Sequence, residues 1–324
     1  MSLVTNAYST YTSIGIREDL SDVIYDISPT ETPFQSNIAR VGATQKFHEW
    51  QTDSLAGATS NRQIEGDTIA GAAVTPSARL GNYCQISRKP VTITGTTQTS
   101  DAAGRASEMS YQIAKMGKEL KRDMEQALTQ NQASSAGGIG TARSLASCES
   151  WLATTNIRET TNTTGTTIGF SSGVVAAPTD GTQAALTEKL FKSAIAATWT
   201  AGGDPNVIMV GAFNKATVSG FAGIATMYQD VTRRSTEQQA AIIGAADLYI
   251  SDFGRHTVVP NRFSRDRTAL VLDMSMWAVA FLRPMHTIDL AKTGDAETKS
   301  LLAEFTLVSR NEAASGKIAD CTTS

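Results

Sequence analysis

The sequence predicts an α+β fold, and three observations favour this class. Between residues 101 and 132 the apolar side chains recur at steps of three and four, which is the period of an amphipathic helix. The preceding residues, 44–100, have no helical pattern and are typical of strands joined by a loop. From residue 181 onward, helix and strand patterns occur in mixed order without a repeating strand–helix unit, which favours α+β over α/β.

The composition excludes several classes of protein. The chain has 324 residues, enough for about two domains, with a charged fraction of 18% and a net charge of −3. Neither figure indicates strong affinity for nucleic acid or a membrane. Cys84, Cys148 and Cys321 lack metal or redox spacing, and their odd number favours free thiols in a reducing cytoplasm over a disulfide framework. No apolar run has the length of a signal peptide or a membrane span.

Residues 1–42 are predicted to form an N-terminal arm. Near its end, Thr32 is a candidate cap of a short helix with Pro33 in its first turn, where a missing N–H costs nothing. Phe34 and Ile38 would share the buried face of that helix. An ordinary N-terminal segment docked on its own domain is the alternative interpretation.

Residues 43–98 are predicted to form an extended hairpin. The first strand, residues 45–52, places Phe47 and Trp50 on opposite faces, and the return strand is expected to bend or bulge at Lys89-Pro90. A two-stranded ribbon with so little apolar surface is marginal in water by itself. Either its own domain or another subunit must cover it, and the length of the loop favours another subunit.

The long helix is predicted over residues 101–132, with Asp101 or Ser100 as its cap. At 1.5 Å per residue it would be about 50 Å long, which suits a spine better than a layer of a small domain. Opposite charges four residues apart predict a solvated face, namely Lys115 with Glu119 and Lys121 with Glu125.

The second half of the chain is predicted to be mixed. Residues 133–180 have low complexity, with one short helix at 143–153 whose inward residues are Leu145, Cys148 and Leu152. Thr187 is the candidate cap of a helix that ends near Thr198. Strands are expected at 207–210, 245–251, 256–260, 269–273, 276–282, 301–308 and 317–321.

One motif suggests catalysis. Residues 169–173 match the nucleophile-elbow pattern G-x-S-x-G around Ser171, and Asp252 with His256 or His286 would complete a triad in the right order. The motif requires a buried strand before the serine, whereas a Thr- and Gly-rich stretch precedes it here. Dinucleotide and phosphate-loop motifs are lacking, and no histidine has a second ligand at metal spacing. The sequence therefore predicts no enzyme, no cofactor and no metal.

Several segments carry a resemblance to one family. They are residues 22–34 (DVIYDISPTETPF), 50–55 (WQTDSL), 65–67 (EGD), 118–125 (KELKRDME), 282–284 (LRP), 290–295 (LAKTGD) and 304–307 (EFTL). Together with the order of arm, hairpin, long helix, compact domain and returning strands, they resemble the major capsid proteins of tailed bacteriophages, which have the Hong Kong 97-type fold. Residues 133–180 are the least matched.

The resemblance implies a division of the chain and a function. It implies an N-terminal arm at 1–42, an extended loop at 43–98, a peripheral domain with the spine helix at 99–140, an axial domain at 141–290 and returning peripheral strands at 291–324. Subunits would form hexamers and pentamers that close into an icosahedral head around double-stranded DNA in the virion. Further partners would be portal and decoration proteins. Because the arm begins almost at Met1, the resemblance implies a separate scaffold or none.

An assembly interface follows from the hairpin, which we expect to lie on the spine helix of a neighbour. The residues assigned to that interface are Phe34, Phe47, Trp50, Leu55, Ile64 and Ile86. The alternatives are another phage structural protein, such as a decoration or tail component, and a serine hydrolase that uses Ser171.

Overall fold

The computed structural model describes residues 29–66, 71, 74–100, 106–159, 165–221, 247–292 and 294–323. The helices are α1 (Pro33–Asn37), α2 (Gly95–Thr99), α3 (Glu108–Thr129), α4 (Cys148–Trp151), α5 (Glu188–Thr200) and α6 (Ala212–Ser219), with short 3₁₀ turns at Met274–Met276 and Glu312–Ala314. The strands are β1 (Ala39–Gly42), β2 (Phe47–Thr52), β3 (Ala78–Tyr83), β4 (Gln85–Thr94), β5 (Asn156–Ile157), β6 (Phe170–Ser171), β7 (Val174–Val175), β8 (Val207–Val210), β9 (Leu248–Ser251), β10 (Gly254–Pro260), β11 (Ala269–Leu272), β12 (Trp277–Asp289), β13 (Ala296–Ser309) and β14 (Gly316–Ile318).

A four-stranded sheet carries the hairpin and the long helix, in the order β1-β12-β13-β4. The predicted bulge at Lys89-Pro90 is wrong, because β4 pairs with β13 in unbroken register from Gln85 to Thr94. Since β4 is the last strand of this sheet, the missing N–H of Pro90 removes no ladder bond on its outer side. The chain changes partner at Cys84 instead, where β3, paired with β2, gives way to β4.

The long helix α3 is shorter than predicted. It has 22 residues, or about 33 Å at 1.5 Å per residue, and Ser107 caps it by accepting a hydrogen bond from the backbone N–H of Ser110. The predicted caps are therefore wrong: Ser100 closes the separate helix α2, and Asp101 lies outside the described residues. The predicted apolar face is confirmed at Met109, Leu120, Met124 and Leu128, all of which are buried.

A six-stranded sheet forms the second part of the fold, in the order β5-β14-β11-β8-β10-β9. Helix α5 covers it through Phe191 and Ile195, which pack with Ile208, Val210 and Val258. The predicted cap is confirmed, because the side chain of Thr187 accepts a hydrogen bond from the backbone N–H of Leu190. Helix α6 was not predicted, since it is short and has no clear apolar stripe.

The two sheets do not follow the predicted domain boundaries. Strand β12 lies within 141–290 but belongs to the four-stranded sheet, and β14 lies within 291–324 but belongs to the six-stranded sheet. One apolar cluster joins them, with Met209 and Leu272 of one sheet packed with Trp277 and Phe305 of the other. The short helix predicted at 143–153 is only α4, although its inward residues are buried as expected.

Candidate assembly interface

The hairpin is a ribbon of β2 and β3 whose root rests on its own chain. The ring centroids of Trp50 and Trp151 lie 5.5 Å apart. On the opposite side of the ribbon, the ring centroids of Phe47 and Tyr83 lie 4.5 Å apart. Leu80, opposite Trp50 in register, packs against the same central cluster. At the root, the ribbon packs on its own chain, which is the cover that the sequence left open beside another copy.

Asn82 fixes the root of the ribbon to the body of the protein. Its side chain is fully buried, and its amide nitrogen donates to the carbonyl oxygens of Leu307 (2.9 Å) and Ala146 (3.2 Å). Its side-chain oxygen accepts from the backbone N–H groups of Ala146 (2.9 Å) and Tyr83 (3.0 Å). One amide thus joins three segments that are far apart in sequence, and it sets the direction in which the ribbon leaves the sheet.

The tip of the ribbon has no cover. Every described residue between Asp53 and Ser77 is exposed, and none of them lies in a helix or strand. Leu55, Ile64 and Val74 are exposed to 99%, 80% and 92%. Apolar side chains of this size gain about 1.5–3 kcal/mol each on full burial, so this loop has the properties of a segment that binds another surface.

The six predicted interface residues fall into three groups. Leu55 and Ile64 lie on the uncovered tip, and Ile86 is 44% exposed on the outer strand β4. Phe47 and Trp50 lie half-buried at the root. Phe34 is fully buried within the chain, with its ring 6.3 Å from that of Trp277, so it offers no surface to a neighbour in this conformation.

Glu125 is a structural residue that the sequence analysis missed. It is fully buried, and its two carboxylate oxygens accept from the backbone N–H groups of Phe34 and Gln35, each at 2.8 Å. The side-chain amide of Asn261 donates to it at 2.7 Å, and burial raises the pKa of the carboxyl group against these three hydrogen bonds. The predicted solvated pair with Lys121 is therefore wrong. Since the partners lie about 90 and 136 residues away, no local signal identifies this role.

A buried charged network connects residues 133–180 to the six-stranded sheet. The carboxylate of Glu149 accepts from Arg265 (2.9 Å) and Thr268 (3.0 Å), and Arg265 also pairs with Asp180 (2.6 Å). The ammonium group of Lys317 donates to the backbone carbonyl of Glu149 at 2.7 Å. Burial lowers the pKa of Lys317 to about 8, and the nearby charge of Glu149 opposes that shift. The network orders a low-complexity segment that has few large apolar side chains.

A second exposed apolar surface surrounds the edge strand β9, which ends the six-stranded sheet. Leu248 and Ile250 lie exposed on one face of this strand. Close by in sequence, the exposed Phe253 contacts Trp199 in a tilted arrangement, with 5.2 Å between the ring centroids. Within the part of the chain that the structure describes, β9 pairs on one side only, and such an edge beside exposed apolar side chains favours association with another chain.

The geometry around Ser171 does not fit a nucleophile elbow. Ser171 ends the two-residue strand β6 and leads through a tight turn into β7, whereas the motif needs a buried strand followed by a helix. His256 instead hydrogen-bonds Ser251 (2.7 Å) and the carbonyl of Pro205 (2.6 Å), and His286 hydrogen-bonds the carbonyl of Pro284 (2.7 Å). The triad predicted as an alternative is therefore not supported.

The described residues contain neither a cluster of metal ligands nor a helix suited to cross a membrane. In that part of the chain no group of three or more His, Cys, Asp or Glu residues is placed to hold a metal ion. Among the helices described above, none combines the length and apolar character needed to cross a membrane.

Comparison with known proteins gives consistent matches over nearly the whole chain. Residues 3–322 match the family model described as SU10 major capsid protein. The major capsid protein of Escherichia phage Phieco32 is 27% identical over 338 aligned residues, which cover 95% of each chain.

Solved structures give the same result for the fold. A chain of the cyanophage A-1(L) capsid asymmetric unit has a TM-score of 0.63 at 15% identity, covering 99% of this chain and 100% of its own. A chain from the phage G assembly of major capsid and decoration proteins has a TM-score of 0.56 at 11% identity, with the same coverage. The chain therefore has the fold of phage capsid proteins, and the fold implied by the sequence resemblance is confirmed.

Proposed function

The chain belongs to the SU10 major capsid protein family, and we propose that many copies of it assemble into the protein shell of a tailed phage. The observation that carries this proposal is the uncovered loop of residues 53–77. Among the described residues of this loop, three aliphatic side chains are exposed to water and none of the residues lies in a helix or strand. In a shell each copy has neighbours that can bury this loop, so its exposure in one chain is what a clamp between subunits requires.

The root of the ribbon suits the same role. The hydrogen bonds of Asn82 and the packing of Trp50 hold the base of the ribbon on its own subunit, while every described residue of the tip is exposed. A rigid base with an adaptable tip allows one segment to reach slightly different neighbours. Such variation is required where the same chain occupies both hexamers and pentamers, which we propose as the building units of an icosahedral head.

The proposal also assigns a region of the capsid subunit to each part of the chain and names further partners. We assign the arm to residues 1–42, the clamp to 43–98, the peripheral region to 99–140 and 291–324, and the axial region to 141–290, with β12 and β14 exchanged between the last two regions. The shell would enclose double-stranded DNA, and portal, scaffold and decoration proteins are further expected partners in the virion. The comparison with phage G, whose structure includes decoration proteins, supports the last of these.

The alternative functions are less well supported. A decoration or tail component would not account for a family match that spans residues 3–322. A serine hydrolase would need Ser171 at a strand-to-helix turn, and Ser171 lies in a β-hairpin. We therefore infer that the role of the chain is structural and not enzymatic.

The experiment that tests this function compares shell formation between variants. The protein is expressed in bacterial cells and the particles are counted by negative-stain electron microscopy. The variant Leu55→Ser/Ile64→Ser/Val74→Ser removes the apolar side chains of the tip, each of which is worth about 1.5–3 kcal/mol when buried. We expect closed shells from the unmodified chain and soluble, folded subunits without shells from this variant.

The control variant has the same chemistry at other exposed positions. Ile139→Ser/Ile168→Ser/Leu290→Ser also removes three exposed aliphatic side chains, none of them on the loop, and should form shells normally. Shells from the loop variant at the level of this control would contradict the role of the loop. If the unmodified chain yields only monomers even when the other structural proteins of its phage are co-expressed, the proposed function itself is wrong.

A further inference from the structure

The outer edge of β9 presents backbone groups that no described strand pairs with. The backbone N–H of Val258 donates to the carbonyl oxygen of Asp247 at 2.8 Å, and these residues lie opposite each other when the register of β9 and β10 is continued by one residue. Since hydrogen-bonded and non-hydrogen-bonded pairs alternate along an antiparallel ladder, Tyr249 also turns its backbone groups toward β10. The N–H and C=O groups of Leu248 and Ile250 therefore point outward, and β9 is the last described strand of its sheet.

Apolar side chains flank this edge on both faces of the sheet. Tyr249 packs against helix α5, so its neighbours Leu248 and Ile250 face the other side, where they are 44% and 54% exposed. On the α5 side, Trp199 contacts Phe253 of the turn between β9 and β10, and both rings are exposed. A strand added to this edge would thus meet apolar side chains on each of its two faces.

β9 lacks the features that protect other edges in this protein. On β4, an edge strand of the four-stranded sheet, Pro90 has no N–H group and Arg88 adds an exposed charge. Along β12, Pro284 and two irregularities of the register interrupt the part that β1 does not pair with. Prolines, charges and bulges prevent edge-to-edge pairing. The four residues of β9, LYIS, have no charge, no proline and no break in register, so this edge is open to another strand.

The chemistry of this edge selects a polypeptide strand as the partner. N–H and C=O groups that point outward at alternate residues are what an added β-strand requires, and the apolar flanks fit its alternating side chains. β9 has no positive charge, so it offers nothing that favours a nucleic acid.

The size of the apolar surface favours a contact that is repeated between copies of the chain. Its four side chains, exposed to between 37% and 56%, provide on the order of 400 Å² if each has about 200 Å². A standard interface buries about 800 Å² on each partner, so this edge would not hold a free partner by itself. In a ring of identical subunits it would act together with the loop of residues 53–77, and the two contacts would reinforce each other.

We propose that the edge of β9 takes up an extended segment of the neighbouring copy as a further strand, and so joins adjacent subunits within a hexamer or pentamer. The inference rests on the proposed function and adds a second contact to that of the loop. β9 lies in the region assigned above to the axis of these rings, which is where neighbouring copies come together.

Hydrogen exchange measured residue by residue tests the contact in the unmodified chain. In dissociated subunits we expect the amides of Leu248 and Ile250 to exchange at nearly the unprotected rate. In shells free of decoration proteins they should exchange at least a hundredfold more slowly. Tyr249, whose N–H points toward β10, is the internal control and should be protected in both states.

Three results of this measurement would overturn the proposal. Protection of Leu248 and Ile250 already in the subunits would mean that the chain covers its own edge. Fast exchange in both states would mean that nothing covers it. Protection that appears only when decoration proteins are bound would assign the edge to those proteins instead of a second copy.

The variant Ile250→Pro blocks the edge without removing a bond of the sheet. Because the N–H of Ile250 points outward, proline removes only a donor that the neighbour would use, and its ring obstructs the added strand. Thr92→Pro is the matched control on the edge strand β4. There the N–H of Gly95 donates to Asp295 across the ladder, so the N–H of Thr92, three residues earlier, also points outward.

Shell yield, counted by electron microscopy, compares the two variants. We expect Ile250→Pro to lower the yield at least tenfold and Thr92→Pro to leave it nearly unchanged, with similar thermal unfolding of both subunits. Equal yields would contradict the proposal and leave the proposed function intact, whereas the absence of shells from the unmodified chain with its co-expressed phage proteins would contradict the function itself. If Ile250→Pro does not fold, the exchange measurement on the unmodified chain decides.

Discussion

Replacing Asn82 tests how the ribbon is anchored. Asn82→Ala removes two donated and two accepted hydrogen bonds from a fully buried site. The buried backbone N–H of Ala146 then loses the acceptor that Asn82 provides, and a buried donor left without a partner costs about 1–3 kcal/mol. With the other lost bonds, we expect the free energy of unfolding to fall by about 3 kcal/mol.

Two assays measure this loss. Urea unfolding gives the change in the free energy of unfolding, and hydrogen exchange reports the ribbon directly. If the loss is confined to detachment of the ribbon, the amides of β2 and β3 should exchange about a hundredfold faster, because 1.4 kcal/mol corresponds to a factor of ten. Asn82→Asp keeps the acceptor but places a carboxylate against two carbonyl oxygens, so it should be at least as destabilising at neutral pH and recover partly in acid.

Asn61→Ala is the matched control. Asn61 lies on the exposed tip, where its side-chain oxygen accepts a hydrogen bond from the neighbouring Gln63. It should change the unfolding free energy by less than about 0.5 kcal/mol. If Asn82→Ala is equally mild and the exchange of the ribbon is unchanged, the root is not held by this amide and the reasoning fails.

Three further predictions concern the buried groups and one cap. Glu125→Leu leaves two backbone N–H groups and the amide of Asn261 without their acceptor, so urea unfolding should show a loss of about 3 kcal/mol or more. Burial gives Lys317 a pKa of about 8 in the folded protein, whereas a lysine in the unfolded chain titrates near 10.4. Because the unfolded chain binds more protons between these values, the free energy of unfolding should rise by up to about 3 kcal/mol between about pH 8 and 10.5. The variant Lys317→Met should flatten this rise. Thr187→Ala should cost about 1 kcal/mol in thermal or urea unfolding while Thr187→Ser costs little, and equal losses would contradict the cap.

Local patterns predicted the elements whose stability is decided locally. The helix after Thr187 and the strand at residues 207–210 were located correctly because a cap, an apolar face and a stop signal all lie within one segment. The same holds for the strand at 269–273, which the structure places at Ala269–Leu272.

The errors have a common physical cause in contacts between distant residues. The start of α3 was placed seven residues too early, since the polar residues before Ser107 are compatible with a helix and only the structure shows that Ser107 caps it. The pairing of β1 with β12 joins residues about 240 positions apart, and no local pattern indicates it. Glu125 was misassigned for the same reason.

For the candidate interface, the sequence located the loop but not which of its parts are covered. Leu55 and Ile64 are exposed in the single chain, as residues of an interface must be. The sequence pointed to this exposure because few apolar residues lie near them. Trp50 and Phe34 were assigned to a neighbour because large apolar residues in a sparse segment suggest an external partner. Trp151 and Trp277 provide that partner within the chain, and only the three-dimensional fold brings them close.

The central claim is that the loop of residues 53–77 is buried by another copy of the chain. Hydrogen exchange of this loop, measured in intact shells and in dissociated subunits of the same preparation, tests it most directly. We expect its amides to exchange at nearly the unprotected rate in subunits and to become strongly protected in shells. Equally fast exchange in both states would mean that no neighbour covers the loop, and the proposed clamp would have to be abandoned.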